Sequence, residues 1–414
     1  SGMVDTLMLS AVGDYAVGAV GTANSYIGIF IIMFSIISSG MVSVMTQNIG
    51  AGRPGVAYQA RQLGLLFNAV AGVLMAVFLF SGAGAILRMV GIADALYEPA
   101  LIYLKIVGGG CILNAVIPIF SSCLRAFGYT KQPLYATIVG NIANFVMNAV
   151  FLFVLHKGVA GVATATVISK ILNLCIVLYF SHKLISAKNS TERIANKTVL
   201  GQIVKVGLPS ACETALYNVA MMLVIRFLNQ MDAEGLNVTA RSYTATISNF
   251  SYCVGAALAQ ANAIMTGWHI GAGELEECDR GTKRAAFVGV CVAVCMETAI
   301  VLGSGFIMPL FTDNPEMTAL VRKLLAIDIV LEIGRVTNLV FGQALKTSGD
   351  AVFPAVIAAV FMFVFAVGGT WLFGISMGLM AVGAYIGLAS DECVRAVGMV
   401  WRWKTGKWRT KKLV

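Results

Sequence analysis

Apolar residues run along this chain in blocks of roughly 20, separated by short polar stretches. A helix of that length crosses about 30 Å of hydrocarbon. Within lipid the backbone must satisfy its own hydrogen bonds, which leaves helices or closed barrels. Barrel strands would alternate apolar and polar positions, and these blocks do not. The pattern predicts apolar helices at 1–12, 18–45, 58–82, 98–123, 133–155, 159–182, 200–230, 239–266, 283–310, 318–345, 352–374 and 379–401. The first is too short to span and opens mid-helix at Ser1. Its upstream part is therefore expected to lie outside this sequence and to be needed for function. The fold class is an all-α membrane protein of twelve transmembrane helices, the first truncated.

Composition agrees with this picture. The 414 residues are 58% hydrophobic and 12% charged, with a mean hydropathy of +0.83. A soluble globular protein carries roughly 25% charged residues, so this supply cannot cover a water-facing surface. The net charge of +9 would suit nucleic acid, but its placement does not. Basic residues occupy alternate connections: Arg53 and Arg61, Arg125 and Lys131, Lys183 to Lys197, Arg280 to Arg284, Lys346, and a tail from Arg402 to Lys412. The intervening connections carry Asp94 and Glu98, Asp232 and Glu234, Asp313 and Glu316. The positive-inside rule puts the basic set in the cytoplasm. The charge therefore describes a multi-pass protein of the cell inner membrane with a cytoplasmic C-terminus, and no nucleic-acid partner. The nine Cys residues form no C-x-x-C pair, and the three His residues form no H-E-x-x-H. With no paired-Asp metal motif either, nothing points to an enzyme.

The chain repeats itself. Ile49-Gly50-Ala51-Gly52 returns as Ile270-Gly271-Ala272-Gly273. Leu124, Arg125, Gly128 and Pro133 return as Leu345, Lys346, Gly349 and Pro354 at the same shift. Each half holds six spans, an even number, so both halves have one orientation and form a parallel repeat. The expected organisation is an N-terminal six-helix bundle (1–185), a cytoplasmic linker (186–199), a C-terminal six-helix bundle (200–402) and a basic tail (403–414). Two such bundles facing a cleft suit alternating access, so transport is the expected activity.

Gly50-Ala51-Gly52-Arg53-Pro54-Gly55 fits G-x-G-x-x-G, but it follows a membrane helix, and its copy lacks the third Gly. A helix end with a tight turn accounts for it better than a dinucleotide site. Ionisable groups within spans are costly unless sheltered or paired. Asp5, Lys105, Lys170, Glu213, Arg226, Glu297, Asp328, Glu332 and Arg335 all fall within such spans. Asp328, Glu332 and Arg335 share one helix face; they either fix packing as an ion pair or line the C-terminal half of a cleft. Asn141, Asn144 and Asn148 also share a face, toward the cleft or neighbouring helices. Asp5 has no cationic neighbour in its own helix, and a carboxylate there suits a proton or Na⁺ joined by oxygen ligands. Glu213 stands just past Pro209, where the backbone ladder is broken, as an ion or substrate contact or as a helix-end charge.

Several segments resemble the multidrug and toxic compound extrusion (MATE) transporters: Val4-Asp5-Thr6, Gln47 to Gly52, Leu124-Arg125-Ala126-Phe127-Gly128, Gly158-Val159-Ala160-Gly161, Gly207-Leu208-Pro209-Ser210 with Glu213, and Asp391-Glu392 through Arg395 to Arg402-Trp403. The resemblance covers the whole chain apart from the start of the first helix. It implies two six-helix bundles around a central cleft. It also implies a secondary antiporter that exports drugs or other small, often cationic, organic molecules in exchange for H⁺ or Na⁺. No cofactor is implied beyond that coupling ion. The partners are a small-molecule substrate and the lipid bilayer, and the protein is expected as a monomer. The family's cation site maps onto Asp5, Asn144, Asn148 and Thr166. An amide stands at Asn148 where the family has a carboxylate, and Lys170 follows one turn beyond Thr166, leaving Asp5 as the main titrating group and the one candidate for Na⁺. The substrate cleft would take Glu213, Asp328, Glu332, Arg335, Asn141 and Lys170. Glu213 matches an acid of one branch; that branch's second acid, in the tenth helix, has no clean match here, and Glu332 or Asp328 is the candidate substitute, with Arg335 nearby. A rival reading is a flippase for lipid-linked sugars, which would want a cationic cleft from Lys105, Lys170, Arg226 and Arg335.

Overall fold

A computed structural model describes residues 8–9, 13–89, 92, 94–185, 192–232 and 234–414. Among these, helices account for all regular structure. They are α1 (Asp14–Gly50), α2 (Pro54–Met89), α3 (Asp94–Gly109), α4 (Cys111–Ala126), α5 (Lys131–Ala149), α6 (Gly158–Ile185), α7 (Asn196–Met231), α8 (Leu236–Ala272), α9 (Leu275–Ile307), α10 (Pro315–Thr347), α11 (Val352–Phe361) and α12 (Met380–Lys404). Among the described residues, seven helical spans are long and apolar enough to cross a membrane, and eight if α3 and α4 form one bent span. The first expected helix, 1–12, falls almost wholly outside the described residues.

The surface chemistry is that of a lipid-facing bundle. On α2, Leu66, Leu74 and Val77 are exposed, whereas Gly64, Asn68 and Gly72 are buried. The buried Asn68 amide donates to the carbonyls of Phe34 and Ala115, at 3.2 and 3.0 Å. Small residues let helices approach, and polar side chains tie them together, where lipid provides no hydrophobic drive between helices.

The chain divides into two compact units. Unit 1 comprises 1–45 and 53–207; unit 2 comprises 46–52 and 208–414. The division falls inside α7 rather than in the polar linker, because the start of α7 packs on α1: a Cβ at Gly207 would lie 1.8 Å from the Ile36 carbonyl oxygen. The basic tail also packs within unit 2. Trp408 is fully buried and stacks on Trp403 with ring centroids 4.2 Å apart.

The repeat is visible in backbone detail. Gly52 and Gly273 end their helices at φ +73° and +79°. Gly128 and Gly349 adopt φ +88° and +98°, the left-handed conformation that favours glycine. The bonds closing those two turns match: Tyr129 N to Leu124 O and Asp350 N to Leu345 O are both 2.9 Å. After α5 the chain widens into π-helical turns at Val150–Val154, and the second unit does the same at Thr370–Ser376.

One feature departs from the expected helices. The span read as 98–123 breaks between Gly109 and Cys111 with a bend of 41°, at the run Gly108-Gly109-Gly110, where three residues without side chains weaken the helix. Pro209 lies inside α7, as in the expected span 200–230.

The connection between α7 and α8 has its own cap. Asp232 accepts hydrogen bonds from the Leu236 and Asn237 amides at 2.8 and 3.0 Å, and from the Asn237 side chain. Burial works against its ionised form, but the bonds from Asn237, Leu236 and Gly235 outweigh it and hold the carboxyl below the usual aspartate value.

Candidate functional site

Each unit contains a cavity. That of unit 1 has a volume of about 290 Å³ and lies among α1, α4, α5 and α6. Amides and hydroxyls dominate its polar wall: Asn114, Asn141, Asn144, Asn173, Thr166 and Ser169. Lys170 adds a charge and donates to Asn114 Oδ1 at 2.8 Å. Asn144 and Asn148 are buried, and the Asn148 amide reaches Asn144 Oδ1 at 3.4 Å. Thr166 Oγ1 donates back to the Val162 carbonyl at 2.9 Å. The structure thus gathers Asn144, Asn148 and Thr166 of the expected cation site into one region. Asp5, its carboxylate, lies outside the described residues.

The cavity of unit 2 is larger, about 510 Å³, and far more charged. Ion pairs form a chain along one side. Arg335 pairs with Glu332 and stands 3.8 Å from Glu392. Arg395 reaches Glu392 at 2.8 Å and holds Asp391 by two bonds, 3.0 and 2.7 Å. Asn338 donates to the other Glu392 oxygen at 3.0 Å. This arrangement follows from spacing: Asp391 and Arg395 are one turn apart on α12, as Glu332 and Arg335 are on α10. Separately, Lys346 Nζ lies 2.7 Å from Glu213 Oε2. Tyr217, Tyr252 and Tyr385 supply aromatic wall, with the Arg335 guanidinium 5.6 Å from the Tyr252 ring centre. Apolar surface with a few placed charges is the usual make-up of a site for small organic molecules.

The expected substrate-cleft residues therefore separate. Glu213, Asp328 and Arg335 line the cavity of unit 2, whereas Asn141 and Lys170 line that of unit 1. Glu332 lines neither; it is fully buried behind its pair with Arg335. A shared helix face fixed their direction along each helix but not which neighbours stood opposite. The four cations of the flippase reading disperse as well. Lys170 and Arg335 sit in different cavities, and Lys105 and Arg226 are exposed and line neither. Sequence reasoning passed over Arg241, Asp391, Glu392 and Arg395 as cavity residues. The signal available was the Asp391–Arg395 spacing within an apolar span.

Twice-built helical spans with apolar exteriors and polar interior cavities define a polytopic membrane protein of the kind that carries solutes across a bilayer. Comparison with known proteins agrees. The MatE family model matches residues 1–150 and 209–372. The uncharacterized transporter YisQ of Bacillus subtilis is 32% identical over 99% of this chain and 91% of its own length. The probable multidrug resistance protein NorM of Thermotoga maritima is 20% identical over 100% of this chain and 90% of its own. A crystal structure of MATE in the straight conformation superposes with a TM-score of 0.89 at 20% identity, covering 99% of this chain and 92% of that one. The chain belongs to the MATE family of transporters.

Proposed function

We propose that this chain is a secondary antiporter that exports small organic molecules, organic cations among them, in exchange for H⁺ or Na⁺ by alternating access. The observation that carries the substrate class is the cavity of unit 2, where Glu213 and Asp328 share a wall with Tyr217, Tyr252 and Tyr385. Carboxylates attract a cation, and tyrosine faces add cation–π attraction. The multidrug name of the Thermotoga maritima relative supports the same class. Coupling is assigned to Asp5, assisted by Asn144, Asn148 and Thr166. An ion can drive the cycle only by binding the two orientations differently. The basic connections and tail support a cell inner membrane location with the C-terminus in the cytoplasm, and the proposed working unit is the monomer.

The test is accumulation of a fluorescent organic cation in bacteria stripped of their own efflux pumps. Native protein should lower accumulation. Asp5→Asn and Glu213→Gln, each confirmed in the membrane, should raise it again. Native accumulation as high as in empty cells would reject export of organic cations.

A further inference from the structure

The charges around the cavity of unit 2 do not all find partners in its wall. Lys346 is answered by Glu213, Arg335 by Glu332 and Glu392, and Arg395 by Asp391 and Glu392. The remaining cation of the lining is Arg241, in the second turn of α8. Among the described residues it forms no ion pair, and its guanidinium hydrogen bond is a long one, to Met221 Sδ at 3.9 Å. The side chain is half-buried. A cation within a span is costly unless it is sheltered or paired, and marks a substrate or ion pathway.

A cavity that took only organic cations would gain nothing from this group. A cation entering beside Arg241 meets a like charge, which costs affinity. The surroundings suit the opposite sign. The guanidinium presents its donors in a plane that matches a carboxylate. Tyr217 and Tyr385, both in the cavity wall, lie within electrostatic reach of Arg241, and their rings offer aromatic surface to a planar acid. Ser248, which stands beside Asp328, lies about 10 Å further along α8. Tyr385 is within reach of both Asp328 and Arg241. One cavity thus holds an acid and a cation at separate points, each without an ion pair among the described residues.

We propose that Arg241 is a specificity-determining residue of this cavity: it binds an anionic group, a carboxylate in the first instance, on a substrate whose cationic part lies toward Asp328 and Glu213. The favoured substrates are then organic cations that also carry an acid group. The bound carboxylate supplies the partner that the cavity wall does not give Arg241. Plain organic cations still enter, but without this contact. The proposal deepens the export reading and rests on its use of this cavity as the substrate site.

The test is fluorescence polarisation on the purified full chain in detergent with two dyes, a rhodamine bearing a free carboxylate and the methyl ester of the same rhodamine. The dyes share one delocalised cation and differ only in the acid group. Native protein should bind the free acid roughly tenfold or more tightly than the ester, the worth of a charge-assisted hydrogen bond. Arg241→Gln should abolish that preference by weakening the acid alone; its unchanged binding of the ester reports that it is folded. Arg241→Lys should keep part of the preference, because the charge remains but the fork does not. Lys323→Gln, at an exposed lysine outside the cavity wall, should change neither dye. Equal binding of the two dyes by native protein overturns the proposal, as does binding of neither, or a preference for the acid that survives Arg241→Gln. Export of the ester is the separate reading of organic-cation transport. Ester export without a preference for the acid would leave the export reading standing and sink this one, whereas acid binding that depends on Arg241 without export of either dye would do the reverse.

Discussion

Lys346 Nζ stands 2.7 Å from Glu213 Oε2, joining the last turn of α10 to the part of α7 that belongs to unit 2. Both side chains are mostly buried, at 13% and 21% exposure. Removing one partner of a buried pair leaves the other charge uncompensated and costs about 3–5 kcal/mol; the residual exposure here brings the expectation to about 2 kcal/mol. Lys346→Met should therefore lower the melting temperature of the purified protein more than Glu213→Gln/Lys346→Met does. If Glu213 is also a substrate contact, the double variant should recover stability without recovering export. Melting curves and accumulation assays on the same three proteins check both halves.

Helix contacts set a second expectation. A Cβ at Gly50 would lie 2.0 Å from the Trp268 carbonyl oxygen, and one at Gly271 would lie 1.9 Å from that of Gln47. These are the same contact made reciprocally by the two copies of the repeat, within unit 2. The obstructing atoms are backbone and cannot rotate away. Gly50→Ala or Gly271→Ala should each cost about 3 kcal/mol or more, at the upper end for overpacking, and lower the yield of folded protein. Gly281→Ala, where a Cβ meets nothing within 4 Å, is the control and should be neutral or slightly stabilising. Detergent-solubilised yield and melting temperature measure both.

The repeat and the apolar spans were legible because they are written locally. Blocks of uniform hydropathy mark spans whatever they pack against, and Ile-Gly-Ala-Gly marks a helix end by turn chemistry alone. The tight backbone approach one residue inside that motif was not legible, because Gly50 looks like any turn glycine until Trp268 is seen opposite. The π-helical turns at Val150–Val154 and Thr370–Ser376 leave no residue signature either; they contain ordinary apolar residues. The candidate site divides along the same line. Pairs one turn apart, Glu332 with Arg335 and Asn144 with Asn148, could be read from spacing. Glu297 meeting Asp328, or Lys346 meeting Glu213, joins separate helices, and no single-helix pattern encodes that. Asp5 falls on residues the structure does not describe.

Asp232 gives a pH-dependent expectation outside the membrane. Its folded carboxyl titrates below the ordinary value of 3.8, so the unfolded chain takes up the proton first as pH falls. The stability it contributes is fully present above that ordinary value and is lost as pH drops through the lower folded value. Asp232→Ala removes the cap of α8 and should cost about 1 kcal/mol at neutral pH. That difference in melting temperature between native and variant should shrink as the pH falls from neutral to well below the ordinary aspartate value. A difference that stays constant from neutral to strongly acid pH would show that the ionised carboxylate is not what caps the helix.

The C-terminal tail gives the last expectation. It carries Lys407, Arg409, Lys411 and Lys412, and a run of that charge suggests a solvated extension. In the structure it is a packed element. Trp408 donates to the Trp403 carbonyl at 3.0 Å, while Trp403 donates to Asp279 at 2.7 Å. Arg402 holds Asp350 by two bonds, 2.7 and 3.2 Å, and the Leu413 amide reaches Gln47 Oε1 at 2.8 Å. Gln47 in turn donates to the Thr347 carbonyl. The tail therefore fastens the last turns of α1 and α10 at once, and Arg409 adds a 2.7 Å ion pair with Glu276. Trp408→Ala should cost about 3–5 kcal/mol through the lost indole, while Lys407→Ala and Lys412→Ala should change stability little. Limited proteolysis offers a direct reading: the native tail should resist cleavage at Lys411, and Trp408→Ala should expose it without cleavage elsewhere. Cleavage of the native tail as fast as that of the variant would mean the stacked tryptophans do not hold it.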